Sequence, residues 1–243
     1  TADMRTTSTV PLGSTSVAWI DCGEAHSCVL FTDGTVKCWG EGDSGRLGSE
    51  STASIGHSGG PGGFVVPDVA LPVAAAALSV GARHSCILGS DAQAYCWGDN
   101  GNGALGLGTV NNHGGFGSSM GANLPPVSLG GRAVEGVTAL NDATCAQVLD
   151  EDSSALFCWG NNSGNWLGMT DLAGESAIGD DETPDSAGAL VVLGSGAGGE
   201  YVAPCANAGT AAGLAYGDAV LLRELHMGSG GGSGATTAAG SPA

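Results

Sequence analysis

The feature that most constrains this chain is a long-period internal repeat built around a Cys-Trp-Gly segment. The first cysteine of each unit falls at Cys28, Cys86 and Cys145, and Cys205 continues the series, so the period is 58 to 60 residues. In the first three units a Leu-Gly pair follows, and its glycine lies ten residues after the second cysteine. Self-similarity at this period is typical of arrays in which each repeat is one supersecondary unit. The chain is therefore predicted to contain four similar units.

Each unit places a short polar turn between two apolar runs, as at Thr32-Asp33-Gly34. Asp-Gly between apolar runs is a strong hairpin signal, because glycine supplies the positive φ that the turn requires. A three-residue loop at this point makes Phe31 face Thr35 and therefore sets the two cysteines of the unit opposite each other. The turns of the second and third units predict the same arrangement. The predicted hairpin disulfides are Cys28–Cys38, Cys86–Cys96 and Cys145–Cys158.

Composition favours an all-β chain and excludes several partners. Glycine is abundant at 45 residues while the long helix formers are scarce, which favours many short strands joined by glycine-rich turns. The formal charge of −18 repels a phosphate backbone, so nucleic acid is not an expected partner. The apolar run from Val69 to Val80 contains Pro72 and is about half of the roughly 20 residues that a spanning helix needs. No membrane insertion is predicted.

The pattern Gly-x-x-His-Ser-Cys, then Asp-Gly-x-Val-x-Cys-Trp-Gly, then Leu-Gly resembles the RCC1-type repeat, in particular its cysteine-bearing secreted versions. The resemblance covers roughly residues 8 to 226, is strong in the first two units and is faint in the fourth. It implies that each unit is a propeller blade, a four-stranded antiparallel sheet. This chain departs from the familiar ring of that family, which has more blades than the four repeats found here.

The fourth unit suggests how such a ring closes. Ala215 stands at the position of the second cysteine, so Cys205 lacks a partner in its own unit, and Cys22 is the other spare cysteine. The repeat phase then favours a Cys22–Cys205 bond among the 105 pairings that eight cysteines allow. Residues 10–13 resemble segments that end other units, and their docking against residues 219–225 would complete the last blade. The prediction is an all-β, four-bladed β-propeller, closed by its N-terminal strand and a disulfide. The alternative is an open fragment that swaps into an eight-bladed dimer.

The predicted domain boundaries follow from this arrangement. Residues 1–227 form the propeller, a monomer in the closed form, and residues 228–243 form a flexible Gly/Ser/Ala-rich segment. That segment is either a natural lead into a Ser/Pro-rich region or an engineered spacer. Because disulfides persist in oxidising compartments, the protein is expected to be secreted or displayed at the cell surface.

Motifs that suggest catalysis do not have the setting that catalysis needs. Residues 56–60 satisfy Gly-x-Ser-x-Gly, but they precede Pro61 in a loop rather than joining a strand to a helix. Ser44 lies in the repeated turn, where Asn102 and Gly164 occupy the same place. The sequence therefore predicts a protein that is not an enzyme and needs no cofactor. The histidines of the first two units, and the tryptophans of Cys-Trp-Gly, are interpreted as structural.

The sequence also contains a candidate metal site and a candidate glycosylation site. The acidic group Asp180, Asp181, Glu182 and Asp185 is a weak Ca²⁺ candidate, because clustered carboxylates are the ligands that calcium prefers. It lacks EF-hand spacing, and the alternative is a solvated loop. Asn161-Asn162-Ser163 is an N-glycosylation sequon in a turn, so Asn161 is the candidate glycan site.

The residue before each Leu-Gly changes while its frame stays constant: Arg46, Ala104 and Trp166. Variable residues on the loops of a rigid scaffold are how binding surfaces are made. Trp166, Arg46 and Tyr201 are therefore the candidate ligand-binding residues. For Trp166 the alternative is packing against a neighbouring long loop.

The function predicted from these features is recognition. The leading hypothesis is an extracellular, non-catalytic module that binds a peptide or glycoprotein segment. A Pro-rich, polyproline-like ligand is the preferred form, because such segments dock on aromatic grooves at little entropic cost. By resemblance, the alternative is a secreted protein inhibitor of an enzyme. A small-GTPase exchange factor, which the cysteines and the negative charge disfavour, and a hydrolase or lyase are less favoured.

Overall fold

The first two repeats each form one antiparallel sheet of three consecutive strands, and the third forms a sheet of five strands. In each sheet a hairpin carries the cysteine pair, and a strand preceding it adds to the hairpin's first strand. The first sheet contains β1 (Val17–Cys22), β2 (His26–Phe31) and β3 (Val36–Gly40), and the second contains β4 (Ala75–Val80), β5 (His84–Gly89) and β6 (Ala94–Gly98). The third contains β7 (Ala133–Ala139), β8 (Ala143–Asp150), β9 (Ser153–Asn161), β10 (Ala177–Ile178) and β11 (Leu190–Val191).

The computed structural model describes residues 10, 12–13, 15–56, 65–150, 153–169, 172 and 174–191. The predicted fourth unit with Cys205, the candidate Tyr201 and the segment 228–243 lie outside the described residues. Four blades, ring closure and the Cys22–Cys205 bond therefore remain predictions. The described residues include two short 3₁₀ turns, Asp43–Gly45 and Gly121–Asn123. None of the helices in this part of the chain is long and apolar enough to cross a membrane.

The hairpin register is the one that the turn residues predict. Phe31 donates its N–H to the Thr35 carbonyl at 2.9 Å, and Gly34 lies at φ 83° in the three-residue loop. Across each hairpin the two cysteines of the unit are directly paired. The predicted bonds Cys28–Cys38, Cys86–Cys96 and Cys145–Cys158 are all present, which confirms them.

The outer strand of each predicted blade is reduced to short pairings. The glycine of Cys-Trp-Gly pairs with Ile55 in the first sheet and with His113 in the second. In the third sheet the two-residue strands β10 and β11 both pair with β9. Long, glycine-rich connections supply this edge, and they allow only brief ladder bonding because glycine and proline interrupt strands.

The core lies largely between neighbouring sheets. Leu78 and Val80 on β4 are buried, and they belong to a cluster that also contains the Cys28–Cys38 bridge. Trp97 and Trp159 are fully buried, as predicted for the tryptophans of Cys-Trp-Gly, whereas Trp39 is only half-buried. Since burial of apolar surface is the main favourable term in folding, adjacent sheets stabilise one another.

Candidate functional site

The junction between the first and second sheets carries a buried polar network. His26 Nε2 lies 3.0 Å from Ser85 Oγ, and this hydroxyl donates in turn to the Arg46 carbonyl at 3.3 Å. Trp97 donates its indole Nε1–H to the same carbonyl at 3.2 Å. The residue before Leu-Gly thus presents its backbone oxygen to the next sheet.

The junction between the second and third sheets repeats this network one unit later. His84 Nε2 lies 2.8 Å from Thr144 Oγ1, which donates to the Ala104 carbonyl at 2.8 Å. Trp159 donates Nε1–H to the same carbonyl at 2.9 Å. Recurrence at equivalent positions shows that the network is the means by which consecutive sheets are joined.

These histidine–hydroxyl pairs are structural and do not act as base and nucleophile. Because each hydroxyl donates its proton to a carbonyl, the histidine Nε2–H must be the donor in the pair, and nothing activates the oxygen. Burial lowers the pKa of His84 to about 4, and burial together with the nearby Arg46 charge lowers that of His26 to about 4. Ser85 and Thr144 are completely buried, so no substrate reaches them.

The histidine explains the glycine that precedes it by three residues. A Cβ at Gly81 would lie 2.3 Å from the His84 ring, and one at Gly23 would lie 2.6 Å from the His26 ring. The third unit has neither member of this pair, since Leu140 and Ala143 stand at the two positions. The Gly-x-x-His part of the repeat is therefore a packing motif.

A polar cleft opens beside this network, at the turns that join each inner strand to its hairpin. It has a volume of about 340 Å³, and its charged lining residues are Glu24, Arg83, Asp99 and Asp142. Arg83 Nε lies 3.3 Å from Glu24 Oε2, and both side chains are more than half exposed. Burial raises the pKa of Asp142, while the Arg83 charge opposes that rise. Three carboxylates thus surround one guanidinium.

Two of the three predicted ligand-binding residues, Arg46 and Trp166, lie in the described part of the chain, and their surroundings differ. Arg46 is only 4% exposed. Its guanidinium donates to Glu41 Oε2 and to the Asp43 carbonyl, both at 2.9 Å, so its side chain is already engaged and its contact with a ligand remains a prediction. Trp166 is 65% exposed and available to a ligand. Arg46 and Ala104 are equally buried despite their different sizes, and Trp166 is exposed, a difference that the sequence pattern did not reveal.

Three of the four predicted calcium-binding residues lie close together, and the fourth pairs with an arginine. Ligand atoms of Asp180, Asp181 and Glu182 lie within 4.8 Å of one another, an arrangement that a cation would satisfy. Burial and the neighbouring carboxylates raise the pKa of Glu182. Asp185 has a different partner, because Arg132 Nη1 donates to its Oδ1 at 3.1 Å. The calcium site, with the contribution of Asp185 to it, remains a prediction.

The sequon has one structural asparagine beside the candidate glycan site. Asn161 ends β9 and accepts the Ser163 N–H at 2.9 Å, so glycosylation there remains a prediction. Asn162 is buried, donates to the Glu175 carbonyl at 3.0 Å and accepts the Leu167 N–H at 3.2 Å. Asn100 does the same for Leu105 one unit earlier, at 2.9 Å. These two asparagines brace the Leu-Gly turns, a role that their equal repeat phase would have suggested.

The repeated sheets, their hairpins and their junctions define the class of the fold, which is an all-β array of RCC1-like repeats. The model of the regulator of chromosome condensation (RCC1) repeat matches residues 19–46 and 75–104. The chain is 34% identical over 95 residues to the human E3 ubiquitin-protein ligase HERC2, covering 39% of this chain and 2% of that protein. It is 31% identical over 175 residues to the human probable E3 ubiquitin-protein ligase HERC6, covering 72% of this chain and 16% of that protein.

Solved structures show the same fold. Human WBSCR16 matches with a TM-score of 0.53 and 23% identity, over 71% of this chain and 41% of that one. Yeast RCC1 (Prp20), in a complex with Kap60, matches with a TM-score of 0.50 and 17% identity, over 72% of this chain and 38% of that one. The chain thus spans a small part of the curated relatives and well under half of these propellers. It carries RCC1 repeats in an all-β fold, as the sequence predicted.

Proposed function

We propose that this chain is an extracellular, non-catalytic recognition module that binds a segment of another protein. The observation that carries the proposal is the polar cleft at the turns between the sheets, with Glu24, Asp99 and Asp142 in its lining. Its ligand is a peptide segment that inserts a lysine or arginine side chain into the cleft. The formal charge of −18 favours the approach of such a segment over long distances.

The chemistry of the cleft matches a cationic side chain. Among the described residues, no hydrogen bond reaches the side-chain oxygens of Asp142, and burial already raises its pKa. A carboxylate in this state gains when a positive charge arrives, because the charge offsets the cost of keeping the carboxylate ionised away from water. A ligand guanidinium would form charge-assisted hydrogen bonds with it.

The volume of the cleft limits the size of the ligand group that can enter it. A volume of about 340 Å³ is at the small end of ligand pockets and accepts one or two side chains of an extended segment. Trp166 is not part of the cleft lining, but its 65% exposure supports the finer prediction of a Pro-rich ligand, because prolines pack on exposed aromatic faces.

The three hairpin disulfides support an extracellular setting. Each is buried at the centre of a sheet, and such bonds persist in oxidising compartments. The relatives that bear the same repeats are consistent with a binding domain. Yeast RCC1 was solved bound to Kap60, a protein partner of that propeller.

Fluorescence anisotropy with labelled Pro-rich peptides that differ only in one central residue tests the proposal. We expect the Arg and Lys peptides to bind at least tenfold more tightly than the Glu and Ala peptides, which corresponds to about 1.4 kcal/mol. The double variant Asp99→Asn, Asp142→Asn should remove this preference.

The matched control is Glu175→Gln, which removes an exposed carboxylate away from the cleft and should leave the preference unchanged. Equal affinity for all four peptides in the wild-type chain would show that the cleft does not select a cation. Retained peptide binding with the preference intact in the double variant would place the site elsewhere.

A further inference from the structure

The inner strand of the first sheet leaves uncovered a face that the other two sheets bury. By strand register, Ile20 corresponds to Leu78, and Cys22 corresponds to Val80 and Ala139. Ile20 is 55% exposed against 5% for Leu78. Cys22 is exposed as well, whereas Val80 and Ala139 are buried. The first sheet therefore has an interblade face with no partner among the described residues.

The two described junctions show which residue covers the position of Cys22. Ser85 is the cross-strand partner of Val80, and Cys28 of the preceding sheet places its Sγ 3.7 Å from Ser85 Oγ. Thr144 is the partner of Ala139, and Cys86 places its Sγ 3.9 Å from Thr144 Oγ1. At both junctions, the first cysteine of one repeat thus lies beside this inner-strand position of the next.

The same relation applied to the first sheet identifies the missing neighbour. Ser27 is the cross-strand partner of Cys22, so the first cysteine of a preceding repeat would lie beside both residues. Cys205 has that repeat phase, and Ala215 replaces the second cysteine of its unit. Its sulfur is therefore available to a partner outside its own hairpin.

The hydrogen-bond network of the other junctions cannot form here. At those junctions a histidine binds the hydroxyl of the next sheet, as His26 binds Ser85. Two positions before Cys205 the chain has Ala203, so no such histidine reaches Ser27. A covalent bond at the neighbouring position would join the two repeats instead.

A groove on the first sheet contains the tryptophan whose equivalents contact the preceding sheet at the other two junctions. It has a volume of about 640 Å³, and its apolar lining includes Val10, Trp39 and Ile55. Trp97 and Trp159 donate their indole N–H to the neighbouring sheet, while Trp39 is only half-buried. Among the described residues, Trp39 thus lacks the contact with a preceding sheet that Trp97 and Trp159 make.

We propose that the segment of this chain that contains Cys205 docks on this face and that Cys205 forms a disulfide with Cys22. The reaction is thiol–disulfide exchange with a disulfide-bearing oxidant. The thiolate of one cysteine attacks the oxidant's S–S bond and releases one thiol, and the second thiolate displaces the other. Two cysteine thiols lose two protons and two electrons, which reduce the oxidant to two thiols.

Peptide mapping of the full chain under non-reducing conditions, after oxidation by glutathione disulfide, tests the proposal. We expect a crosslinked peptide that contains Cys22 and Cys205, alongside the three hairpin bonds. In the Cys205→Ser variant, alkylation of Cys22 should be at least tenfold faster than in the oxidised wild-type chain. The Cys22→Ser variant is the reciprocal control, because it leaves the hairpin bonds unchanged and should free Cys205.

Size-exclusion chromatography with light scattering identifies the occupant of the face. A monomer that carries the crosslink supports docking of the chain's own segment. A crosslinked dimer would assign the face to a second copy and overturn the proposal, and so would a wild-type chain in which both thiols react freely. Failure of peptide recognition at the polar cleft would not affect this result, since the two surfaces share no residue.

Discussion

At the residue scale, the two equivalent hairpin turns differ in the residue that adopts a positive φ. Gly34 takes a positive φ of 83° in the first hairpin, and Ala92 takes φ 59° at the matching point of the second. An L-residue with a side chain pays about 1–2 kcal/mol in this region, because its Cβ approaches a carbonyl oxygen. The second hairpin therefore stores strain that the first avoids.

We expect Ala92→Gly to stabilise the protein by roughly 0.5–1 kcal/mol, since relief of the strained φ outweighs the added flexibility of the unfolded chain. Gly34→Ala is the opposite test, and it should destabilise by more, because the new Cβ would lie 2.7 Å from Ala74 Cβ. Urea denaturation measures both. If both substitutions changed the free energy of unfolding in the same direction, the positive φ would not be what sets the stability of these turns.

At the element scale, the hydroxyl on the first hairpin strand joins one sheet to the next. Ser85→Ala removes an acceptor for His26 and a donor for the Arg46 carbonyl, all within a buried junction. We expect a loss of about 1–3 kcal/mol in the free energy of unfolding, because buried polar groups are left without partners.

Ser27→Ala is the matched control for this loss, because Ser27 holds the same repeat position and its side chain makes no hydrogen bond with the described part of the chain. It should change stability by less than about 0.5 kcal/mol. A similar loss in both variants, measured by urea denaturation, would mean that the interblade hydroxyl contributes nothing specific.

At the scale of the whole molecule, two buried neutral histidines make stability depend on pH. Burial lowers the pKa of His26 and of His84 to about 4, below the ordinary value of about 6.5 that applies in the unfolded chain. Between these values the unfolded chain binds more protons than the folded one, so stability rises with pH. The contribution is complete above about pH 6.5 and is lost as the pH falls towards 4.

The free energy of unfolding, measured by urea denaturation, should therefore decrease from pH 7.5 to 4.5. Each histidine contributes roughly 1.4 kcal/mol to this decrease for each unit of its pKa shift. Because the carboxylates titrate in the same range, the comparison is made with His84→Asn. This variant should lose part of the pH dependence. Parallel curves for the two proteins would exclude His84 as a source of it.

How much of the molecule is predictable from its sequence depends on the range of the interaction. The hairpins and their three disulfides follow from turn residues only a few positions away, and the structure confirms them. The polar cleft escaped prediction, because Glu24, Asp99 and Asp142 come from different repeats and meet only when the sheets pack. The burial of Arg46 escaped prediction for the same reason, since it depends on contacts that a repeat frame does not show.

The sequence by itself determined the repeat, the all-β class and the pairing of cysteines within each hairpin, because those rest on local geometry and a fixed period. Only the tertiary structure decided which repeated residues are structural, since burial and hydrogen bonding between sheets depend on how the sheets face each other. It made the histidines and hydroxyls parts of a junction and left Trp166 exposed. It also showed that Cys22 lies on the one inner strand whose face has no described neighbour.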